Sequence, residues 1–90
     1  MDGKAPEQTA ADAAAVAGAL AVVSGGNVTT AAKTDSGVNG FTDGTQGVTV
    51  TVNNPPASGA YAGDSTAVEA IVTKPEQTYF CLLYTSDAAD

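Results

Sequence analysis

Histidine and tryptophan are absent from this 90-residue chain, basic residues number three, and there is one cysteine. Each shortage excludes something. Without histidine there is no Ser-His or Cys-His nucleophilic pair, and nearly every zinc-ligand pattern is lost. With only Lys4, Lys33 and Lys74 against ten acidic residues, the net charge is −7. Nucleic-acid binding needs a basic footprint, and so does electrostatic contact with an anionic membrane surface. Neither is present. No apolar run reaches the roughly 20 residues that a spanning helix needs. Residues 10–23 contain Asp12 and lack a basic leader, which makes them a poor signal peptide. Few aromatics and many alanines imply a thin core, and a chain of this length is one small domain of marginal stability.

What is present is an alternation of valine with polar residues. Val48, Val50 and Val52 alternate with Thr49, Thr51 and Asn53; Val68, Ala70 and Val72 alternate with Glu69, Ile71 and Thr73. A period of two puts each set on one face of a strand. Pro55 and Pro56 close the first strand, because proline cannot donate to a ladder. The pattern predicts strands over 48–53 and 66–73, joined by a long loop that Tyr61 folds back to pin. A further extended piece starts over 77–80, after a turn at 74–76.

Upstream of this ribbon, residues 7–23 are nearly all strong helix formers. Val16, Leu20 and Val23 form a single stripe, the small residues let the helix pack tightly on its own ribbon, and Gly18 is the weak point of the helix. Ser24-Gly25-Gly26 ends it with glycine for a left-handed cap. Asn27 is placed to cap a shorter helix over 28–38 that Asn39-Gly40 stops, with Phe41 as a core anchor. The expected fold is therefore α+β: an Ala-rich helix, a short second helix, then an antiparallel ribbon of two to three strands whose valine face packs on the first helix.

Candidate chemistry is sparse. Asp64 and Glu69 are the one carboxylate pair that glycosidic work would call on, with no pocket to put them in. Residues 43–47, Asp-Gly-Thr-Gln-Gly, have the outline of a calcium loop but a single acid, and read as a plain turn. Asp12 reads as an exposed helix carboxylate, or as a group capping a neighbouring helix. No glycine loop of the phosphate-cradling kind follows a strand and opens a helix. No catalytic, cofactor-binding or metal-binding residue is assigned, and the chain is read as non-enzymatic.

Two blocks resemble the Flp pilus-assembly TadE/TadG-like family of bacteria. The first is Gln8-Thr9-Ala10-Ala11-Asp12-Ala13-Ala14-Ala15-Val16-Ala17-Gly18-Ala19. The second joins Asn39-Gly40-Phe41, the run from Gly47 to Pro56 ending Asn53-Asn54-Pro55-Pro56, then Ser58-Gly59 with Tyr61, and Ala67-Val68-Glu69 with Ile71-Val72. The resemblance covers residues 7–80. It implies a membrane-proximal scaffold or stalk on the periplasmic or extracellular face of the inner membrane, in contact with other pilus-assembly proteins of the cell envelope. It also implies a membrane helix upstream, where residues 1–6 stand here. The rival reading is a surface- or carbohydrate-binding β module of a secreted bacterial protein, for which Tyr61 and Tyr79 are the available aromatic platforms. Asn27-Val28-Thr29 fits the N-glycosylation pattern, which in a bacterial protein is expected by chance. Residues 81–90, Cys-Leu-Leu-Tyr-Thr-Ser-Asp-Ala-Ala-Asp, resemble the translation of a sequencing adapter. On that reading they are a non-native tail, Cys81 carries no redox meaning, and the natural chain continues differently after Phe80.

Overall fold

In the computed structural model, residues 6–57, 59, 61–75 and 77–84 are described. Ser58 of the second block, Glu76 of the expected turn, the first five residues and residues 85–90 of the tail lie outside them. The elements run α1 (Pro6–Ser24), α2 (Val28–Val38), β1 (Thr49–Asn53), β2 (Ala67–Lys74) and β3 (Gln77–Tyr84). The strands form one antiparallel sheet in the order β1-β2-β3. This is the α+β arrangement the pattern predicts, with three strands.

Both helices end by the same device. At the end of α1, Gly25 takes φ +80°, its N–H donates to the Val22 carbonyl at 3.4 Å, and the Gly26 N–H reaches back to Ala21 at 2.8 Å. At the end of α2, Gly40 takes φ +94°, donates to Gly37 at 2.9 Å, and Phe41 N–H donates to Ser36 at 2.9 Å. These paired backward bonds are the Schellman closure, which satisfies carbonyls that a helix end otherwise orphans. Asn27 caps the start of α2, its side-chain oxygen accepting from Thr30 N–H at 2.9 Å.

Register sorts the sheet into two faces. Val50, Val72 and Tyr79 lie in one cross-strand row and Val52, Ala70 and Cys81 in the next; both rows face the helices, with Val68 and Leu83 beyond them. The opposite face carries the rows Thr49-Thr73-Thr78, Thr51-Ile71-Phe80 and Asn53-Glu69-Leu82. Phe80 there is 62% exposed.

The stripe of larger apolar side chains on α1 is not its buried face. Val16, Leu20 and Val23 face outward, 40%, 47% and 59% exposed. The buried face is Ala10, Ala11, Ala14, Ala15, Gly18, Ala19 and Ala21. The reason is separation. Short side chains let α1 close on α2 and the sheet together, and an ideal Cβ built on Gly18 would lie 2.9 Å from Val68 Cγ1 and 3.3 Å from Val28 Cγ1. A leucine on that face would hold the layers apart. Gly18, expected as a weak point, is a place where α1 comes close to both α2 and β2.

A buried methyl contributes on the order of 0.8 kcal/mol, and a fully buried valine about 1.5–3 kcal/mol. Val50, Val68 and Val72 are the largest fully buried apolar side chains, and the many buried alanines together contribute on a similar scale. Phe41 closes one end of the core as expected, with Lys74 Nζ 5.7 Å above its ring.

β3 runs past Phe80 to Tyr84, so Cys81 and Leu83, read as part of an adapter-derived tail, pack against the core. Apolar, strand-prone residues following a strand extend it whatever their origin.

Candidate functional site

The polar residues of the two resemblance blocks have structural employment. Gln8, in the first turns of α1, donates through Nε2 to Asp12 Oδ1 at 2.9 Å and to the Phe80 carbonyl at 3.3 Å. It thereby ties α1 to β3. Asp12 is half-buried on α1, and Gln8 holds its carboxylate on the helix surface.

The Asn53-Asn54-Pro55-Pro56 turn is held more firmly. Asn54 Nδ2 donates to the carbonyls of Ser65 and Ala67, both at 2.8 Å, which clamps the two ends of the long β1–β2 loop. The Asn54–Pro55 peptide is cis, and Pro56 is buried while its carbonyl accepts from Gly63 N–H at 3.2 Å. Glu69 Oε1 accepts from Asn53 Nδ2 at 2.9 Å and from Ala57 N–H at 3.4 Å. Asp64 closes the other side, its Oδ1 accepting from the N–H and hydroxyl of Thr66 at 2.9 and 2.6 Å. Asp64 and Glu69 thus serve separate turns of one loop and do not converge as an acid–base pair. Tyr61 is half-buried in that loop, its carbonyl accepting from Asp64 N–H at 2.9 Å.

A shallow, open cleft of about 470 Å³ is lined by Lys33, Thr34, Gly37, Thr42 and Asp43. Asp43 reaches into two elements. Its Oδ1 accepts from Val50 N–H at 2.8 Å, on β1, and its Oδ2 pairs with Lys33 Nζ of α2 at 3.0 Å. The Val50 N–H first, and then Lys33, hold the Asp43 carboxyl below its ordinary value. The carboxylate of residues 43–47 is therefore committed to joining α2 to the edge of β1. The bond to Val50 also blocks one donor on that edge, which would otherwise invite another strand.

Among the described residues no group of three or more His, Cys, Asp or Glu side chains is arranged to hold a metal ion. Every buried side-chain nitrogen or oxygen among them has a hydrogen-bond partner, so no buried polar group is left aimed at a ligand. Of the aromatics that a glycan-binding face would use, Tyr79 packs against the core. Phe80, which sequence reasoning left out, stands on the open face; the strand parity of 77–80 was the signal that separates the two. The large apolar side chains left exposed among the described residues are Val16, Leu20 and Val23 on α1, Val38 at the end of α2 and Phe80 on the open sheet face. No helix among the described residues is long and apolar enough to cross a membrane. Compared with family models, curated proteins and solved structures, the chain matches none.

Proposed function

We propose that this chain is a non-enzymatic scaffold or stalk segment of a TadE/TadG-like protein in Flp (tight-adherence) pilus assembly. In this reading it lies in the cell envelope, on the periplasmic or extracellular face of the inner membrane, held by a membrane helix upstream of Gln8. Its partners are other pilus-assembly proteins. One observation carries the reading: the motif polar groups Gln8, Asn53, Asn54 and Glu69 are tied to the chain's own fold, while the large apolar side chains of its long helix face outward. A catalytic module spends its polar residues on a cleft. A scaffold spends them on shape and leaves apolar surface for contact.

Two experiments test it. The contiguous genomic sequence around the reading frame is expected to encode about 20 consecutive apolar residues upstream of Gln8, beside pilus-assembly genes; a soluble domain upstream, among unrelated genes, overturns the assignment. A photo-crosslinker at Leu20 of the full-length protein in its native cell is expected to trap envelope pilus-assembly proteins. Crosslinks at Leu20 no more frequent than at exposed Thr29 on α2 overturn the contact role.

A further inference from the structure

We infer that Asn39-Gly40 is a covalent modification site guarded by the fold: succinimide formation there is suppressed while the end of α2 is closed, and its product weakens that closure. Asn39 is the one asparagine in the chain followed by glycine. Glycine carries no side chain to hinder attack on the preceding residue, so this is the chemically most reactive asparagine position in the chain. Both residues are exposed, so water reaches them.

The chemistry needs two atoms that the fold occupies. The Gly40 backbone nitrogen must lose its proton and attack the Asn39 side-chain carbonyl carbon. A nitrogen–carbon bond forms, the carbon–Nδ2 bond breaks, and ammonia leaves. Water then opens the five-membered ring to aspartate or isoaspartate. In the structure the Gly40 N–H donates to Gly37 at 2.9 Å, and Asn39 Nδ2 donates to the Asp35 carbonyl at 2.9 Å. The Asn39 N–H itself bonds to Asp35 and Ser36 at 3.2 and 3.1 Å. Nucleophile and leaving group are thus both engaged in the closure that ends α2, and ring formation requires that closure to open.

Neither product restores it in full. Aspartate at 39 has no Nδ2 donor for the Asp35 carbonyl, and it sets a negative charge against the carbonyl end of α2, where the helix dipole disfavours anions. Isoaspartate adds a backbone carbon inside the closure. The damage falls next to the core, because Phe41 N–H and Ser36 belong to the same turn and Ser36 Oγ donates to the Phe41 carbonyl at 2.7 Å.

The test incubates the full chain at neutral pH and 37 °C, folded in buffer and unfolded in urea, with peptide mapping and mass spectrometry to locate deamidation. Conversion at Asn39 is expected to be at least tenfold slower in the folded chain, the factor that about 1.4 kcal/mol of local opening represents. Equal rates in the two states overturn the guard. Asn39→Asp, made directly, is expected to melt below the parent and to exchange the Phe41 amide faster; an unchanged melting curve and unchanged exchange overturn the second half of the inference.

Discussion

Gly18→Ala sets two physical rules against each other, and the distances decide between them. On an exposed helix face, replacing glycine by alanine stabilises by about 0.8–1.0 kcal/mol. At Gly18 the new methyl would sit 2.9 Å from Val68 Cγ1, 3.3 Å from Val28 Cγ1 and 3.6 Å from Ala32 Cβ. Val68 is fully buried and, being β-branched, has little freedom to turn away. Overpacking of this kind costs about 1–3 kcal/mol. The packing cost exceeds the propensity gain by roughly 1 kcal/mol, and in a domain of this size each kcal/mol moves the midpoint by about 4–8 °C. Thermal unfolding followed by circular dichroism is expected to show Gly18→Ala melting lower than the parent. Adding Val68→Ala removes the obstructing methyl, so the two changes together are expected to cost less than the sum of their separate costs, with a coupling of about 1 kcal/mol. A rise in melting temperature for the single variant, or strict additivity in the pair, would refute the claim that small residues set the distance between α1, α2 and the sheet.

Two further outcomes follow from single contacts. Asp43 has its carboxyl held below the ordinary value by the Val50 N–H and by Lys33, so its contribution to stability is present above the unfolded-state value and is lost as pH falls through the lower folded-state value. Urea unfolding of the parent is expected to weaken below about pH 4 more than that of Asp43→Asn, and parallel pH profiles would show that the Val50 and Lys33 contacts contribute nothing. Ser36→Ala leaves the Phe41 carbonyl without the 2.7 Å donor it has from the fully buried Ser36. A loss of about 1–3 kcal/mol is expected in equilibrium denaturation, and a change under half of the lower figure would place that carbonyl in contact with water instead.

The order of elements was legible because it rests on local signals. Asn27 before Val28, glycines after Ser24 and Asn39, and valines alternating on both sides of Pro55-Pro56 each act within a few residues. The orientation of α1 was not legible, because it is decided by a contact between elements far apart in the chain. Side-chain size ranks Val16, Leu20 and Val23 as the burying stripe, yet Gly18 against Val68 requires the small face to point inward. The same limit applies to the polar residues of the blocks. Asn54 reads as a turn residue, but its clamp on Ser65 and Ala67 depends on how a long loop returns. Asp43 reads as part of a plain turn until β1 brings Val50 within reach.

The inverted helix has an energetic consequence. The apolar area that α1 could have buried with its largest side chains is left outside, and the interior is closed mostly with methyl groups. At about 25 cal/mol per Å², the exposed parts of Val16, Leu20 and Val23 represent stabilisation that the isolated fold forgoes. A leucine turned inward would bury more area but hold α1 away from Val28 and Val68, so close packing and side-chain burial oppose each other on this helix. Close packing prevails, and the larger apolar side chains stay on the surface. The sheet edges carry side-chain bonds that discourage strand addition: Gln8 on the Phe80 carbonyl of β3 and Asp43 on the Val50 N–H of β1. Each edge strand of the sheet thus has one backbone group already bonded to a side chain, while the apolar stripe of α1 stays on the surface.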